Sequence, residues 1–299
     1  MSITALNLED RKLLAISGKD KKDFLQGLIT NDISLVGKNN SIFTAFLTPQ
    51  GKFLADFFIY HYQDKFIIDI HQKFYQNFLQ KLKIYKLKAE IVIDEIKGSI
   101  LLCQDQGLIN QKFKEIKEGN TIAMEEKILT IDNRNKILGV RIILFNNDMS
   151  DFAITENSLA QYHILRIKHK IIDGAYDLIP EKSIILEYGY QDISAINFDK
   201  GCYLGQELMT RTHRRGVIRK KIYNIIIYDI TETIPQNAEI IYDDRKIGSF
   251  CFGYQKGQNI YGLGLFKIEE SEILLSKKID VIIKINEVIL KRSLAISFD

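Results

Sequence analysis

The chain has 299 residues and a formal net charge of +3, with 46% apolar and 26% charged residues. This composition excludes a disordered or fibrous chain, and a length well above the roughly 100–150 residues of a common core predicts more than one folding unit. Because no apolar run approaches the roughly 18 residues of a membrane span, and the N-terminus lacks a basic segment followed by an apolar one, we expect a cytoplasmic protein with no membrane partner.

The first hundred residues combine helical and strand patterns. Apolar residues at helical spacing predict a short helix within 17–32 and a longer one within 72–88. Between them, two apolar runs flank Thr48-Pro49-Gln50-Gly51, where proline second and glycine fourth are typical of a β-turn, and a third strand follows at 65–70. Consecutive strands followed by a helix predict an α+β layer.

In the rest of the chain, the pattern of apolar residues changes once, after Lys221. Strand-like runs at 90–96, 99–104, 127–131 and 139–145 precede a helical pattern at 157–171. After Lys221, six short apolar runs separated by polar or glycine turns predict a small β-barrel or sandwich; they are 221–230, 238–243, 246–254, 260–266, 281–285 and 294–298. We therefore predict an α+β region over 1–219 and a C-terminal barrel over 220–299.

A cysteine-containing loop stands at this predicted junction. In DKGCYLGQE, residues 199–207, Gly201 and Gly205 bracket Cys202 and allow turn conformations. Lys200 next to Cys202 would stabilise a thiolate, although a buried cysteine in a turn fits the spacing equally well. A run of cations follows the loop: Arg211, Arg214, Arg215, Arg219, Lys220 and Lys221.

The other candidate chemistries find little support. Cys103 and Cys251 lie in apolar strand patterns and are predicted to be inert, and three distant cysteines fit a reducing compartment. Cys-x-x-Cys and His-Glu-x-x-His motifs are absent, so no resident metal site is predicted. The glycines do not form a Walker or dinucleotide-binding pattern either, which argues against a nucleoside triphosphate or NAD site.

The segment KGCYLGQE, followed by Arg211, resembles the signature of the YgfZ-type folate-binding proteins, which are related to the glycine-cleavage T-protein, an aminomethyltransferase. FLQGLITND, LTPQGKFLADFFIY, RKIGSFCFGY and YGLGLF are similar to further blocks of that family, in the same order. The resemblance implies several α+β lobes around a central cavity that holds tetrahydrofolate, followed by a β-barrel. It also implies support of iron-sulfur cluster assembly or repair, with client enzymes such as tRNA methylthiolating radical proteins, or cluster carriers, as partners.

The same resemblance assigns the candidate site. Asp56 falls on a catalytic and folate-contacting aspartate of the T-protein, and Arg219 falls on an arginine used for that ligand. Asp56 shares its predicted strand face with apolar and aromatic residues, where a carboxylate needs a partner such as a pterin edge, unless it lies exposed on an edge strand. Lys200 and Cys202 are the predicted reactive pair. Tyr203 is added to the folate site, and the supporting residues are Gly201, Gly205, Gln206, Glu207 and Arg211, the last bracing Glu207.

Two other functions are weighed. The T-protein has an Arg-Leu/Ile-Glu segment where this chain has Arg166-Ile167-Lys168, and it lacks the Lys-Gly-Cys signature, so a folate-dependent one-carbon transferase is the alternative rather than the first choice. A third possibility is an RNA-binding module that uses the cations from Arg211 to Lys221. No aromatic residue interrupts the chain between Tyr203 and Tyr223 to stack a base, so direct nucleic-acid binding is not expected.

Overall fold

The computed structural model describes residues 2–113, 116, 119–216, 218–270, 278–285 and 288–296. The strands are β1 Ile3–Asn7, β2 Arg11–Ser17, β3 Ile42–Leu47, β4 Phe53–Tyr62, β5 Lys65–His71, β6 Val92–Ile96, β7 Ser99–Cys103, β8 Thr121–Ala123, β9 Lys127–Ile131, β10 Val140–Leu144, β11 Phe152–Ile154, β12 Lys220–Ile227, β13 Glu239–Tyr242, β14 Arg245–Lys256, β15 Asn259–Lys267, β16 Ile279–Ile285 and β17 Val288–Ile296. The α-helices are α1 Lys21–Gln26, α2 Gln72–Lys86, α3 Gln106–Lys112, α4 Ser158–Lys168, α5 Gly174–Asp177 and α6 Gln206–Arg215. Short 3-10 turns occupy Ile33–Leu35, Lys136–Leu138 and Ile185–Tyr188.

A five-stranded antiparallel sheet, in the order β3-β4-β5-β2-β6, forms the first layer. Gly51 donates its N–H to the Thr48 carbonyl at 2.8 Å, which closes the predicted β-turn between β3 and β4. The helix α2 packs on this sheet through aromatic contacts, with the ring of Phe78 4.7 Å from that of Phe57 and the ring of Phe74 5.4 Å from that of Phe53. The predicted hairpin and long helix are confirmed.

A second, six-stranded sheet has the order β11-β1-β7-β10-β9-β8. Its strand β1 comes from the chain's N-terminus and pairs parallel with β11, so this sheet combines the first residues of the chain with strands from 99–154. The sequence patterns predicted β7, β9 and β10 but neither β1 nor β2.

Buried ion pairs join the two sheets. Arg141 on β10 reaches Asp69 on β5 at 2.6 Å and Asp132 at 3.4 Å, and Asp69 also receives Arg11 at 2.6 Å. Arg134 continues the network to Asp132 at 2.8 Å. All five side chains are almost completely buried, so each charge depends on its partners in place of water.

The C-terminal strands close into a six-stranded antiparallel barrel in the order β12-β15-β14-β13-β16-β17, with β17 returning to β12. The barrel has an interior core of its own, whereas Ile222, Cys251, Leu263 and Leu265 belong to the core of the α+β region. The predicted fold class, an α+β region followed by a small barrel, is confirmed. Residues 297 and 298 of the last predicted strand lie outside the described part.

The longest described helix, α2, is 15 residues, and none of the helices in the described part is long and apolar enough to cross a membrane.

Candidate functional site

The loop that carries Cys202 is fixed by the lysine two residues earlier. The ammonium of Lys200 donates to the carbonyl oxygens of Gln26 at 2.8 Å, Ile29 at 2.7 Å and Asn31 at 2.8 Å. These carbonyls lie at and just beyond the end of α1, where backbone acceptors have no helical partner. Burial lowers the pKa of Lys200 to about 8. Lys200 therefore ties the cysteine loop to α1 across more than 160 residues of chain.

Backbone contact with the β3–β4 turn fixes the other side of the loop. Gly205 has φ +82°, and a Cβ there would lie 2.4 Å from the Thr48 carbonyl oxygen and 3.0 Å from the Gly51 Cα. Gly51 is equally restricted: its φ is +75°, and a Cβ there would lie 2.9 Å from the Gly205 carbonyl oxygen. Two of the segments that carried the family resemblance thus pack backbone to backbone, which only glycine permits at these positions.

The residues after the cysteine form the start of α6. Gln206 accepts a hydrogen bond from the Tyr203 N–H at 3.2 Å, which satisfies a backbone donor ahead of the helix. Tyr203 is partly buried, its ring lies 5.0 Å from the Lys200 Nζ, and burial raises its pKa to about 12. Gly201 has open space around it and no positive φ, so its predicted conformational role is not required by the structure.

The predicted brace between Arg211 and Glu207 is not found. Both side chains are exposed in α6 and line an open cleft of about 620 Å³ together with Gln206, Thr210 and Arg214, but no ion pair joins them in the described structure. Exposed i,i+4 ion pairs contribute little to the stability of a helix. The position of α6 is therefore fixed by the contact of Gly205 rather than by this pair.

Cys202 itself is exposed and carries a free thiol. The predicted ammonium–thiolate pair is not supported by the geometry, because all three hydrogens of the Lys200 ammonium are donated to carbonyls and none is left for sulfur. Cys103 and Cys251 are buried, and burial raises the pKa of both thiols, as expected of inert cysteines. Cys202 is thus the accessible thiol of the three.

A large cavity of about 1010 Å³ adjoins the cysteine loop, between the two sheets and the segment 191–199. Six side-chain amides line it, and we call it the carboxamide cavity: Asn31, Asn40, Asn120, Asn133, Gln191 and Asn197. The amides of Asn31, Asn120 and Asn133 are bonded to neighbouring protein groups. Asn40 and Gln191 form no side-chain hydrogen bond in the described part, so their donors and acceptors can serve a ligand.

One wall of the carboxamide cavity is aromatic. The rings of Phe198 and His213 are stacked, with centroids 3.8 Å apart and planes at 14°. His213 comes from α6 and Phe198 from the segment just before Lys200, so this wall and the cysteine loop are built from the same elements. A flat ring system with polar edges suits a site that combines aromatic faces with free amides.

Asp56 lies elsewhere. It is 2% exposed on β4, and its Oδ2 accepts hydrogen bonds from the Gly174 N–H at 2.9 Å and the Tyr190 hydroxyl at 2.7 Å. Burial, followed by the nearby charge of Asp173, raises the pKa of this carboxyl. The prediction that Asp56 holds the pterin is therefore not supported, because its partner is the protein and it does not line the carboxamide cavity.

Arg219 is also separated from that cavity. It is exposed and lines a different cleft, of about 510 Å³, with Arg211 and Lys220. The structure thus brings Lys200, Cys202, Tyr203 and the start of α6 together, and it leaves Asp56 and Arg219 outside the carboxamide cavity.

Comparison with known proteins bears on these findings. No protein-family model matches the sequence. The chain is 30% identical over 252 residues to the mitochondrial iron-sulfur cluster assembly factor IBA57 homolog of Coccidioides immitis, covering 77% of this chain and 58% of that protein. The homolog of the same name in Dictyostelium discoideum is 28% identical over 278 residues, covering 80% and 66%. The chain thus spans about three fifths of the length of these relatives.

These names overturn one expectation. The relatives from Coccidioides immitis, Mycosarcoma maydis and Dictyostelium discoideum are all named as mitochondrial proteins, so the prediction of a cytoplasmic protein, which relied on an absent N-terminal signal pattern, is wrong.

A solved structure supports the fold. The glycine cleavage system aminomethyltransferase T from Bartonella henselae superposes with a TM-score of 0.69, covering 99% of this chain and 86% of that one at 14% identity. The chain is therefore similar in sequence to the IBA57 iron-sulfur cluster assembly factors and has the fold of aminomethyltransferase T.

Proposed function

We propose that this protein is a folate-binding accessory factor of iron-sulfur cluster assembly, of the YgfZ type, and that Cys202 is its contact with the cluster being assembled. The observation that carries the proposal is the exposed Cys202 thiol in a loop held at both ends, by Lys200 and by Gly205. The relatives named as assembly factors support the same process.

The cluster is cargo in this proposal. Iron-sulfur clusters are usually held by four cysteine thiolates, and Cys202 supplies one. The remaining ligands come from a client enzyme, a cluster carrier or a second copy of this chain. Clients such as tRNA methylthiolating radical proteins belong to the proposal and rest on the family resemblance. A loop that is fixed on both sides presents the thiol in one place, which lowers the entropy lost when a partner shares the cluster.

Tetrahydrofolate is assigned to the carboxamide cavity. The free amides of Asn40 and Gln191 can pair with the donor and acceptor edge of a pterin, and the outer faces of the Phe198–His213 pair can support its rings. When bound, this cofactor supplies one-carbon carriage. The cavity volume of about 1010 Å³ suffices for a ligand of this size.

The alternative, a folate-dependent one-carbon transferase, has less support. In that reading Asp56 would contact the folate, whereas its Oδ2 is bonded to Gly174 and Tyr190. The accessory role does not require a carboxylate at the ligand.

Folate binding is tested by calorimetry with tetrahydrofolate. Asn40→Ala and Gln191→Ala together should weaken binding about tenfold, the effect of losing one to two ligand hydrogen bonds. Gln80→Ala, on an exposed position of α2, is the matched control and should leave affinity unchanged. Equal affinity of the double variant and the wild type for tetrahydrofolate contradicts this assignment. If Asp56→Asn weakens binding strongly while Gln191→Ala binds like the wild type, the ligand belongs at Asp56 instead.

The role of Cys202 is tested by complementation of a strain that lacks its own homologue. Cys202→Ser should fold, bind tetrahydrofolate like the wild type and fail to restore the activity of iron-sulfur enzymes. Gly201→Ala, which keeps the thiol and places its methyl group in open space, should complement. Full complementation by Cys202→Ser removes the thiol from the proposed function.

A further inference from the structure

A basic groove runs along the junction between the α+β region and the barrel. It consists of two clefts, of about 510 and 370 Å³, that share Glu187 and Lys220 in their linings. Its cations are Lys182, Arg211, Arg219, Lys220, Lys246 and Lys267. The groove shares no lining residue with the carboxamide cavity.

Positive charge is concentrated in this groove. Six cations face a single lining carboxylate, Glu187, whereas the formal net charge of the whole chain is only +3. The remainder of the chain therefore carries a small negative net charge, and the groove is a local source of positive potential.

Four of the groove's six cations form no ion pair with the residues that the structure describes. Lys220 lies 3.7 Å from Glu187, and Lys246 lies 2.6 Å from Glu239. Lys182, Lys267, Arg211 and Arg219 form no ion pair in the described part of the chain. Burial raises the pKa of Glu187, which further weakens the one lining carboxylate as a counter-charge.

The lining also has an apolar wall of four partly buried aliphatic side chains, Ile179, Ile184, Leu208 and Ile218. Ile247 and Leu265 are buried, and the polar lining residues are Ser183, Thr212, Asn237 and Ser249. Tyr188 is the aromatic residue of the lining, but it is 7% exposed and lies within hydrogen-bond distance of Ser183, so its ring offers no open face to a nucleobase. A ligand that fits this lining carries carboxylates alternating with apolar groups, rather than stacked bases.

We propose that the basic groove binds an acidic peptide segment of a partner protein, with carboxylates on the unpaired cations and aliphatic side chains on the apolar wall. The neighbouring barrel is closed, so the peptide cannot extend its sheet and is held through its side chains. The groove lies against α6, which begins directly after the cysteine loop, so a partner held there is tethered near Cys202. This proposal does not depend on folate binding.

Fluorescence anisotropy with the 299-residue protein tests the proposal. The probe is a short fluorescein-labelled peptide of alternating glutamate and leucine. Lys182→Gln combined with Lys267→Gln should weaken its binding about fivefold, since each exposed pair contributes modestly, and added salt should weaken binding to the wild type. Lys22→Gln combined with Lys83→Gln removes the same charge from exposed positions on α1 and α2 and should leave affinity unchanged.

The other outcomes overturn the proposal. Equal binding by the two double variants would show that net charge, not the groove, attracts the peptide. Equal binding of a glutamine–leucine peptide would show that the cations are not used. If the wild type binds a single-stranded RNA more tightly than the peptide, and the Lys182/Lys267 double variant abolishes that RNA binding, the groove belongs to nucleic acid. Thermal melting of each variant at the wild-type temperature excludes a folding defect as the cause, and unchanged tetrahydrofolate affinity separates this test from the folate assignment.

Discussion

Replacing Lys200 with methionine tests the three hydrogen bonds by which its ammonium holds the cysteine loop, which we call the clamp. The substitution keeps most of the apolar stem and removes the three donors to Gln26, Ile29 and Asn31. At about 1.5–3 kcal/mol for each bond to a charged group, three bonds give at least about 4.5 kcal/mol before correction. Burial of the ammonium, which lowers the pKa of Lys200 to about 8, and partial exposure of the side chain both reduce this value. We expect Lys200→Met to lower the free energy of unfolding by about 2–4 kcal/mol.

Urea unfolding followed by circular dichroism measures this loss. Lys22→Met is the matched control, because it makes the same change at an exposed position of α1, and it should cost less than about 0.5 kcal/mol. The pH dependence of Cys202 alkylation should be the same in the wild type and in Lys200→Met. If the two methionine variants are equally stable, and alkylation shifts to higher pH only in Lys200→Met, the clamp is refuted and the ammonium acts on the thiol.

The remaining predictions concern the loop and the buried charges. Gly205→Ala should destabilise the protein by about 2–3 kcal/mol in urea titrations, because φ is +82° and the Thr48 carbonyl blocks a Cβ, whereas Gly201→Ala should change stability by less than about 0.5 kcal/mol. Burial lowers the pKa of His163 to about 4, so this residue stays neutral in the fold while the unfolded chain binds a proton there below about pH 6.5. The protein should therefore lose stability as the pH falls from about 6.5 to 4. In His163→Gln the urea midpoint should depend less on pH over that range. Asp56→Ala leaves both the Tyr190 hydroxyl and the Gly174 N–H unpaired and should lower the free energy of unfolding by about 2–3 kcal/mol, whereas Tyr190→Phe removes one bond and should cost about 1 kcal/mol. Equal losses in the two variants would show that the Gly174 bond contributes nothing.

Local patterns predicted the parts of the fold that depend on local rules. The β3–β4 turn follows from its proline and glycine, and the barrel strands follow from short apolar runs between turns. The helix α6 was not predicted, because QELMTRTHRR contains only two apolar residues, Leu208 and Met209, in ten. Among its described side chains, Met209 is the buried one. Docking of Gly205 on the hairpin, a contact between distant segments, holds α6 instead.

The candidate site was likewise predictable only where it depends on neighbouring residues in the sequence. The Lys-Gly-Cys motif placed Lys200 and Cys202 close together, but it could not indicate that the ammonium points to carbonyls 169–174 residues earlier in the chain. The carboxamide cavity gathers residues from 31–43, 120–136, 191–199 and α6, so no local pattern could reveal it. Asp56 was placed correctly on a buried strand, and its partners Gly174 and Tyr190 were unpredictable for the same reason.

The buried pairing of Arg141 with Asp69 has a consequence for how the chain is handled in the cell and in the laboratory. Arg141 comes from one sheet and Asp69 from the other, and both side chains are buried in the complete fold. A fragment that ends between the sheets would keep the Arg11 contact of Asp69 but lose its Arg141 contact. Removing one partner of a buried ion pair costs about 3–5 kcal/mol. During synthesis from the N-terminus all five strands of the first sheet emerge before β10, so Asp69 lacks its Arg141 partner until Val140–Leu144 has been made. A division before the barrel would keep the barrel's interior core together, but it would expose Ile222, Cys251, Leu263 and Leu265, which pack in the core of the α+β region.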